Sequence, residues 1–324
     1  MGGDYSIHIG TVGQGLWRSP DAGQTWEPGE IEPLEGTFRA LTAYPDAPGR
    51  LLAGSDTGLF RSEDDGEHWD LVDSPMGDRQ VWSVALDPAD PETIFAGTRP
   101  GAFRSRDGGA TWEELPLEVA DPCPIGIART TSMFVDPRDR QRVWAGIEVD
   151  GVYKSLDGGD SWVRLPDLGE NLFQNDIHGL ARVPGRATYA TSPFGLAASV
   201  DEGESWDYHY FPKHHADDGV SYCRQVVVKA DDPDVMFVAN GDGIPGTVGT
   251  VQRTRDGGRS WESASLPVGP KSVVYGLGTH PRRPDVVVAA SLYGYIYVTE
   301  DAGDSWRKLD KEFGEVRSVA VTPR

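Results

Sequence analysis

Short apolar runs recur along this chain in sets, each run closed by turn residues. The last run of each set stops at a Ser or Thr: GLWRS, GLFRS, GAFRS, GVYKS, GLAAS, TVQRT and YIYVT. Ahead of it lies another, as in LLAGS, IFAGT, VWAGI and TYATS. Ahead of that comes a third, ending in Pro in most sets: FRALTAYP, VWSVALDP, TTSMFVDP, IHGLARVP, VYGLGTHP and VRSVAVTP. The sixth set has CRQVVVKADDP instead. Runs this short, rich in β-branched and aromatic residues and bounded by Gly, Pro and Asp, predict strands and almost no helix.

One eight-residue box begins at the Ser or Thr that closes the last run of every set: SPDAGQTW (19–26), SEDDGEHW (62–69), SRDGGATW (105–112), SLDGGDSW (155–162), SVDEGESW (199–206), TRDGGRSW (254–261) and TEDAGDSW (299–306). Each reads Ser/Thr-x-Asp-x-Gly-x-x-Trp. The closing tryptophans are spaced by 43, 43, 50, 44, 55 and 45 residues. The box has the chemistry of a hairpin tip: its Asp accepts backbone N–H groups across the turn and its Gly supplies a positive φ. Its Trp opens an outer, fourth strand and packs on the sheet. Four short strands per repeat match a propeller blade. The chain opens on a second strand, SIHIGT, and finishes on an inner one, VRSVAVTP, so both ends share blade 1. The expected fold is all-β: a single seven-bladed β-propeller domain over 1–324, with four-stranded blades closed by the N- and C-terminal strands. That closure leaves no free sheet edge.

These boxes resemble the Asp-box, or BNR, repeat, and they run the length of the chain. The repeat occurs in sialidases, in xyloglucanase-type glycoside hydrolases, in sortilin-type receptors and in the photosystem assembly-factor propellers. The sialidases have six blades and an FRIP-type motif, and this sequence shows neither. The xyloglucanases pair two propellers in a longer chain. The stand-alone assembly-factor propellers are similar in size and blade count. The resemblance implies the propeller; function has to come from the site.

Charge narrows the partners. The 324 residues carry 51 Asp and Glu against 30 Lys and Arg, a formal net charge of −21. Nucleic acid and anionic membrane both reward Lys and Arg, so neither is an expected partner. No run reaches the roughly 20 apolar residues that span a bilayer. The start shows no basic and apolar leader, and two cysteines make no disulfide framework, so the expected location is cytoplasmic.

The Asp, Gly and Trp of the boxes read as turn and packing residues. Ligands of propellers bind at the channel mouth, where inner strands begin. Aligned on their Pro and apolar positions, the inner strands place one residue each in a ring: Arg39, Trp82, Thr131, His178, Arg224, Tyr275 and Arg317. The following residue is mostly small: Ala40, Ser83, Ser132, Gly179, Gln225, Gly276 and Ser318. Converging arginines repel one another until an anion neutralises them. Either the ring holds a carboxylate, phosphate or sulfate by bidentate contacts, or each Arg pairs with a local acid such as Asp56, Glu148, Asp150 or Asp242. Long loops at PLEVADPCPIGIARTT, HYFPKHHADDGVSY and NGDGIPGTVG are expected over the same mouth.

Two functions from different classes follow. In the first, a hydrolase or lyase binds a small or terminal anionic substrate, carboxylate-type or an anionic glycan. Arg39, Trp82, Arg224 and Arg317 bind it, and His178 and Tyr275 form the acid–base pair. Uronate lyases built on propellers resemble this chemistry. A glycosidase needs two flanking carboxyl groups, and Glu148, Asp150 and Asp242 form no evident pair. In the second, the chain is a non-catalytic protein-interaction or assembly-factor propeller. No cofactor is required. A divalent metal near His178, His214 and His215, with Asp217 or Asp218, is a weaker alternative, because adjacent histidines diverge and arginines repel a cation. Cys123 and Cys223 offer thiols, and His8 and His280 read as structural.

Overall fold

In the computed structural model, which describes residues 3–32, 36–120, 123–215 and 221–324, the apolar sets form seven sheets. Their inner strands are Val316–Pro323, Phe38–Ala43, Gln80–Asp87, Thr130–Asp136, Gly179–Val183, Tyr222–Val228 and Val274–His280, for blades 1 to 7 in turn. The chain is an all-β, seven-bladed β-propeller with four-stranded blades. Blade 1 joins the chain ends as expected: Val316–Pro323 pairs antiparallel with Tyr5–Thr11, with Tyr5 opposite Pro323 and Ile9 opposite Val319. Blade 2 gains a short fifth strand, Glu30–Ile31, parallel to His68–Leu71. Among the described residues the only helical element is the 3-10 turn Leu172–Asn175.

The residues cluster into two compact units. One comprises Met1–Ala53, Phe60–Leu71 and Lys213–Arg324, with blades 1, 6, 7 and most of blade 2; the other comprises Gly54–Leu59 and Val72–Pro212, with blades 3, 4 and 5. The second strands are buried over most of their length, and their central residues are mainly apolar and packed on both sides. In blade 4, Val143, Ala145 and Ile147 pack with Phe95 of blade 3, while Trp144 between them packs with Ile177 and Ala190 of blade 5. In blade 7, Val288 and Ala290 pack with Ile7 and Ile9 of blade 1, and Val287 and Ala289 with Phe237 and Ala239 of blade 6. A period of two thus builds the core between blades.

Glycines in these second strands let backbones approach. A Cβ on Gly97 would stand 2.5 Å from the Thr130 carbonyl oxygen and 2.3 Å from Ser83 Oγ. The motif AG in the second runs is therefore a contact requirement between neighbouring blades.

The boxes close on themselves. Asp107 accepts Ser105 Oγ at 2.8 Å, Thr111 N at 2.8 Å and Thr111 Oγ1 at 2.6 Å, and Gly109 N donates to Ser105 Oγ at 2.7 Å. Hydrogen bonds from Thr111 and Ser105 hold the Asp107 carboxyl at about 2. The seventh box position thus has a job that the motif did not capture: it is Thr or Ser in six boxes and His68 in the other. The fourth position also adopts positive φ, even as Ala22, Asp65, Glu202 and Ala302.

What holds that fourth position is a cation of the preceding blade, one residue before its own box. Arg18 donates to the Asp65 carbonyl at 3.4 Å, Lys154 to that of Glu202 at 2.9 Å, Arg253 to that of Ala302 at 2.9 Å, and Arg104 to that of Gly158. An acid at the sixth box position completes three of these links: Glu67 on Arg18, Asp160 on Arg104 and Asp304 on Arg253. Blade 7 has Val298 in place of the cation, and Arg307 from its outer strand reaches the Ala22 carbonyl at 2.7 Å.

At the shared blade the link is elaborated. Asp65 accepts Ser6 Oγ and Thr322 Oγ1, from the first and last strands, at 2.5 and 2.7 Å. His8 Nε2 lies 2.8 Å from Thr322 Oγ1 and 3.3 Å from Asp65 Oδ1. His8 is buried as expected, but in a polar cluster. Burial works to raise the Asp65 carboxyl, and His8, Ser6 and Thr322 outweigh it and hold it at about 2. His280 replaces the turn Asp seen at Asp87 and Asp136, its Nδ1 accepting Arg282 N at 3.2 Å.

Two outcomes are expected. Gly97→Ala should lower unfolding free energy by about 1–3 kcal/mol through overpacking against backbone, read by denaturant unfolding; an unchanged midpoint would contradict the close approach. Asp65→Asn should cost about 1–3 kcal/mol near neutral pH. Because the folded carboxyl sits below its ordinary value near 3.8, this stabilisation is present above that value. It is lost as pH falls through about 2. A wild-type advantage that does not shrink in acid would contradict the carboxylate's role.

Candidate functional site

The start of each inner strand is irregular in a repeated way. Ser83 faces Gly97 and Val81 faces Thr98, so Trp82 is an extra residue. By the same count Thr131, Tyr275 and Arg317 are extra in blades 4, 7 and 1, and Arg224 and Gln225 share the irregularity of blade 6. These are β-bulges, which release a side chain from the sheet's alternation and re-aim it. The next residue then ties neighbouring inner strands. Ser83 Oγ donates to Thr130 O at 2.8 Å, Ser318 Oγ to Phe38 O at 2.9 Å, and Gln225 Oε1 accepts Leu277 N at 2.7 Å. Ser132 Oγ accepts Leu180 N at 3.0 Å. Positions read as merely small are connectors.

Four of the expected ring residues, Arg39, Arg224, Tyr275 and Arg317, belong to the first unit. Tyr275 is buried with Tyr222, Val273 and Leu292. Its hydroxyl oxygen accepts Arg224 Nη2 at 2.7 Å and Arg317 Nη1 at 3.1 Å. The two guanidinium carbons lie 4.5 and 5.0 Å from its ring centroid. Burial pushes the phenol up, but the charges of Arg224 and Arg317, the Arg317 hydrogen bond and Arg39 outweigh it, leaving Tyr275 below the ordinary phenol value. Glu315 forms an ion pair with Arg317. That acid was missed by sequence reasoning, although it stands two residues before Arg317, just ahead of the strand Val316–Pro323.

Trp82, Thr131 and His178 belong to the second unit. The Trp82 ring lies under Arg129 at 4.5 Å, and Arg129 Nη1 pairs with Glu148 Oε1 at 2.8 Å. His178 is buried, with Nε2 3.3 Å from Asp176 Oδ2. Asp150 serves Arg164, the Tyr153 hydroxyl and Ala120 N. Asp242 is engaged by Thr247 and Val248. Each carboxyl thus has its own local work.

His214 Nε2 lies 2.9 Å from Asn240 Oδ1, and His215 Nε2 lies 3.6 Å from Asp242 Oδ2, so the adjacent histidines have separate neighbours. Asp217 and Asp218 lie outside the described residues. Among the described residues, the one group with three ligand atoms close together is Asp64, Glu67 and His68, at the exposed tip of blade 2. Burial pushes the Cys223 thiol up to about 12, far from a reactive thiolate.

No protein-family model matches this sequence, and no curated protein matches it. Solved structures do. The GH74 xyloglucanase from Xanthomonas campestris is 17% identical with a TM-score of 0.69, over 100% of this chain and 55% of that one. YCF48 from Cyanidioschyzon merolae is 15% identical with a TM-score of 0.62, over 87% and 89% of the two chains. A structure of YCF48 bound to D1 peptide is 16% identical with a TM-score of 0.55, over 86% of each chain. Against the GH74 structures this chain spans about half the length or less, between 40% and 55%. Similarity at such identities is similarity of fold: this chain shares the propeller architecture of a GH74 xyloglucanase and of YCF48.

Proposed function

We propose that the chain binds an anionic group of the carboxylate class at Arg39, Arg224 and Arg317, and acts on its bearer as a hydrolase or lyase with Tyr275 as the acid–base group. The observation that carries this reading is the convergence of two guanidinium groups on one buried phenol oxygen. A neutral phenol accepts both hydrogen bonds without cancelling either charge, and an incoming anion competes with Glu315 for Arg317. The same cations draw the phenol toward ionisation at a pH where an ordinary tyrosine is inert. A bound carboxylate would offset the arginine charge and return the phenol to its proton-holding form. Tyr275 could therefore give a proton once substrate is in place. Proton transfer rests on Tyr275 here, with His178 held by Asp176.

A second reading is a non-catalytic docking module. It is favoured by the match to YCF48 over most of both chains, one of those structures carrying D1 peptide. There the arginines would take an acidic group of a protein, and no bond would break. Turnover separates the two readings; anion binding is common to both.

Acetate, phosphate or sulfate should raise the melting temperature with saturation, because the unfolded chain cannot assemble the arginines. Arg224→Ala should weaken that binding by about 1.5–3 kcal/mol, as for a charge-assisted hydrogen bond. It should cost little stability without ligand, since it relieves repulsion. His178→Ala should leave anion binding as it was. Loss of stability in Arg224→Ala with an unchanged anion response would make the arginine a structural partner of Tyr275 and remove the site.

A further inference from the structure

We infer that the tip of blade 2 binds one divalent cation of the zinc class. His68 Nδ1 and the carboxylates of Asp64 and Glu67 hold it, and Glu30 fixes the imidazole from its other side. This site is separate from the arginine cluster and does not depend on it.

Blade 2 departs from the other blades in two ways, and both meet at His68. In six boxes the seventh residue is Thr or Ser. Its hydroxyl donates to one oxygen of the box Asp at 2.6 Å. In blade 2 an imidazole stands there instead, with His68 Nδ1 2.6 Å from Asp64 Oδ2. The turn itself does not need the ring. His68 N donates to Asp64 Oδ1 at 3.0 Å, the same backbone bond that Thr111 and Ser161 make in their boxes. The second departure is the strand Glu30–Ile31, the fifth strand of this sheet. It sets Glu30 opposite His68 and brings Glu30 Oε2 to 3.3 Å from His68 Nε2. Ile31 is buried in one cluster with Trp69, so the strand is packed in place.

Both ring nitrogens therefore face carboxylates, and the ring holds a proton on each. A divalent cation takes the place of the Nδ1 proton, which is released, while the Nε2 proton stays toward Glu30. A carboxylate on the far nitrogen is what orients a ligating histidine. Glu67 completes the donors: ligand atoms of Asp64, Glu67 and His68 all lie within 4.8 Å of one another. Two donors about 2.1 Å from one ion at a tetrahedral angle stand about 3.4 Å apart, so small side-chain rotations close the set. Glu67 Oε1 lies 2.7 Å from Arg18 Nη2, and its carboxylate has a second oxygen for the ion. Arg18 is shared among Glu27, Asp65 and Glu67, so acids outnumber cations at this tip and a cation is drawn to it. An imidazole beside two carboxylates selects zinc and its transition-series neighbours over calcium and magnesium, which take oxygen donors. Through His68 and Glu30 the ion couples the box of blade 2 to the segment that enters from the outer strand of blade 1.

The test is calorimetric titration of the full chain, stripped of metal with EDTA, with zinc chloride. Wild type should bind one equivalent and gain melting temperature with it. His68→Ser restores the residue found in other boxes and keeps the turn, and it should weaken zinc binding about tenfold or more. Glu30→Gln leaves all three donors in place and should weaken it about tenfold, as loss of an orienting partner does. His214→Gln/His215→Gln should bind zinc as wild type does. No zinc binding by wild type, or unchanged affinity in His68→Ser, would overturn the site. Loss of binding in the His214 and His215 variant alone would place the ion at blade 6 instead. Calcium binding as tight as zinc would overturn the imidazole's part in it.

Discussion

The structure depends on how the tip of one blade is held by the blade before it. A box turns only if its fourth and fifth residues take positive φ, and non-glycine residues accept that conformation at a cost. The offsetting contact comes from outside the hairpin: Arg18, Arg104, Lys154 and Arg253 each donate to a fourth-position carbonyl. A turn and its neighbour's third strand are thus one interaction, and neither is complete alone. The arrangement also explains the charges around it, since Glu67, Asp160 and Asp304 meet the same cations.

Within each unit, rigid second strands feed this constraint inward. Gly97 admits the Thr130 carbonyl, Ser83 ties that carbonyl from the other side, and the bulge at Trp82 aims one side chain off the sheet. The same device at Arg317 and Tyr275 brings an arginine and a phenol into contact. Positive charge then concentrates at strand ends that are locked by backbone ties. On a chain with net charge −21, such a spot is where an anion is drawn.

Much of this was legible in the sequence. The seven boxes, the Pro-terminated inner runs and the pair SIHIGT and VRSVAVTP carried the blade count and the shared blade, because each is a local pattern with one geometric solution. The positive φ at Asp65 and Glu202 was not legible, because only the fifth box position carries the Gly that marks a left-handed residue. Arg224, Tyr275 and Arg317 were legible as matching positions of their inner strands but not as hydrogen-bond partners. Tyr275 gave no sign of gathering Arg224 and Arg317, since a phenol carries no charge to suggest it. His178 was expected as its acid–base companion, and the Asp176 carboxylate 3.3 Å from it was not foreseen. Bulges escaped notice because the alternation of an inner strand looks the same with one residue inserted at its first turn.

The account's central claim is that the arginines hold Tyr275 and an exchangeable anion in competition. It is tested most directly by the ultraviolet phenolate titration of wild type minus Tyr275→Phe, with and without acetate. The account predicts one tyrosine ionising below the ordinary phenol range, and a return toward that range when acetate saturates the protein. A Tyr275 that titrates as an ordinary or higher phenol, with acetate making no difference, would contradict it.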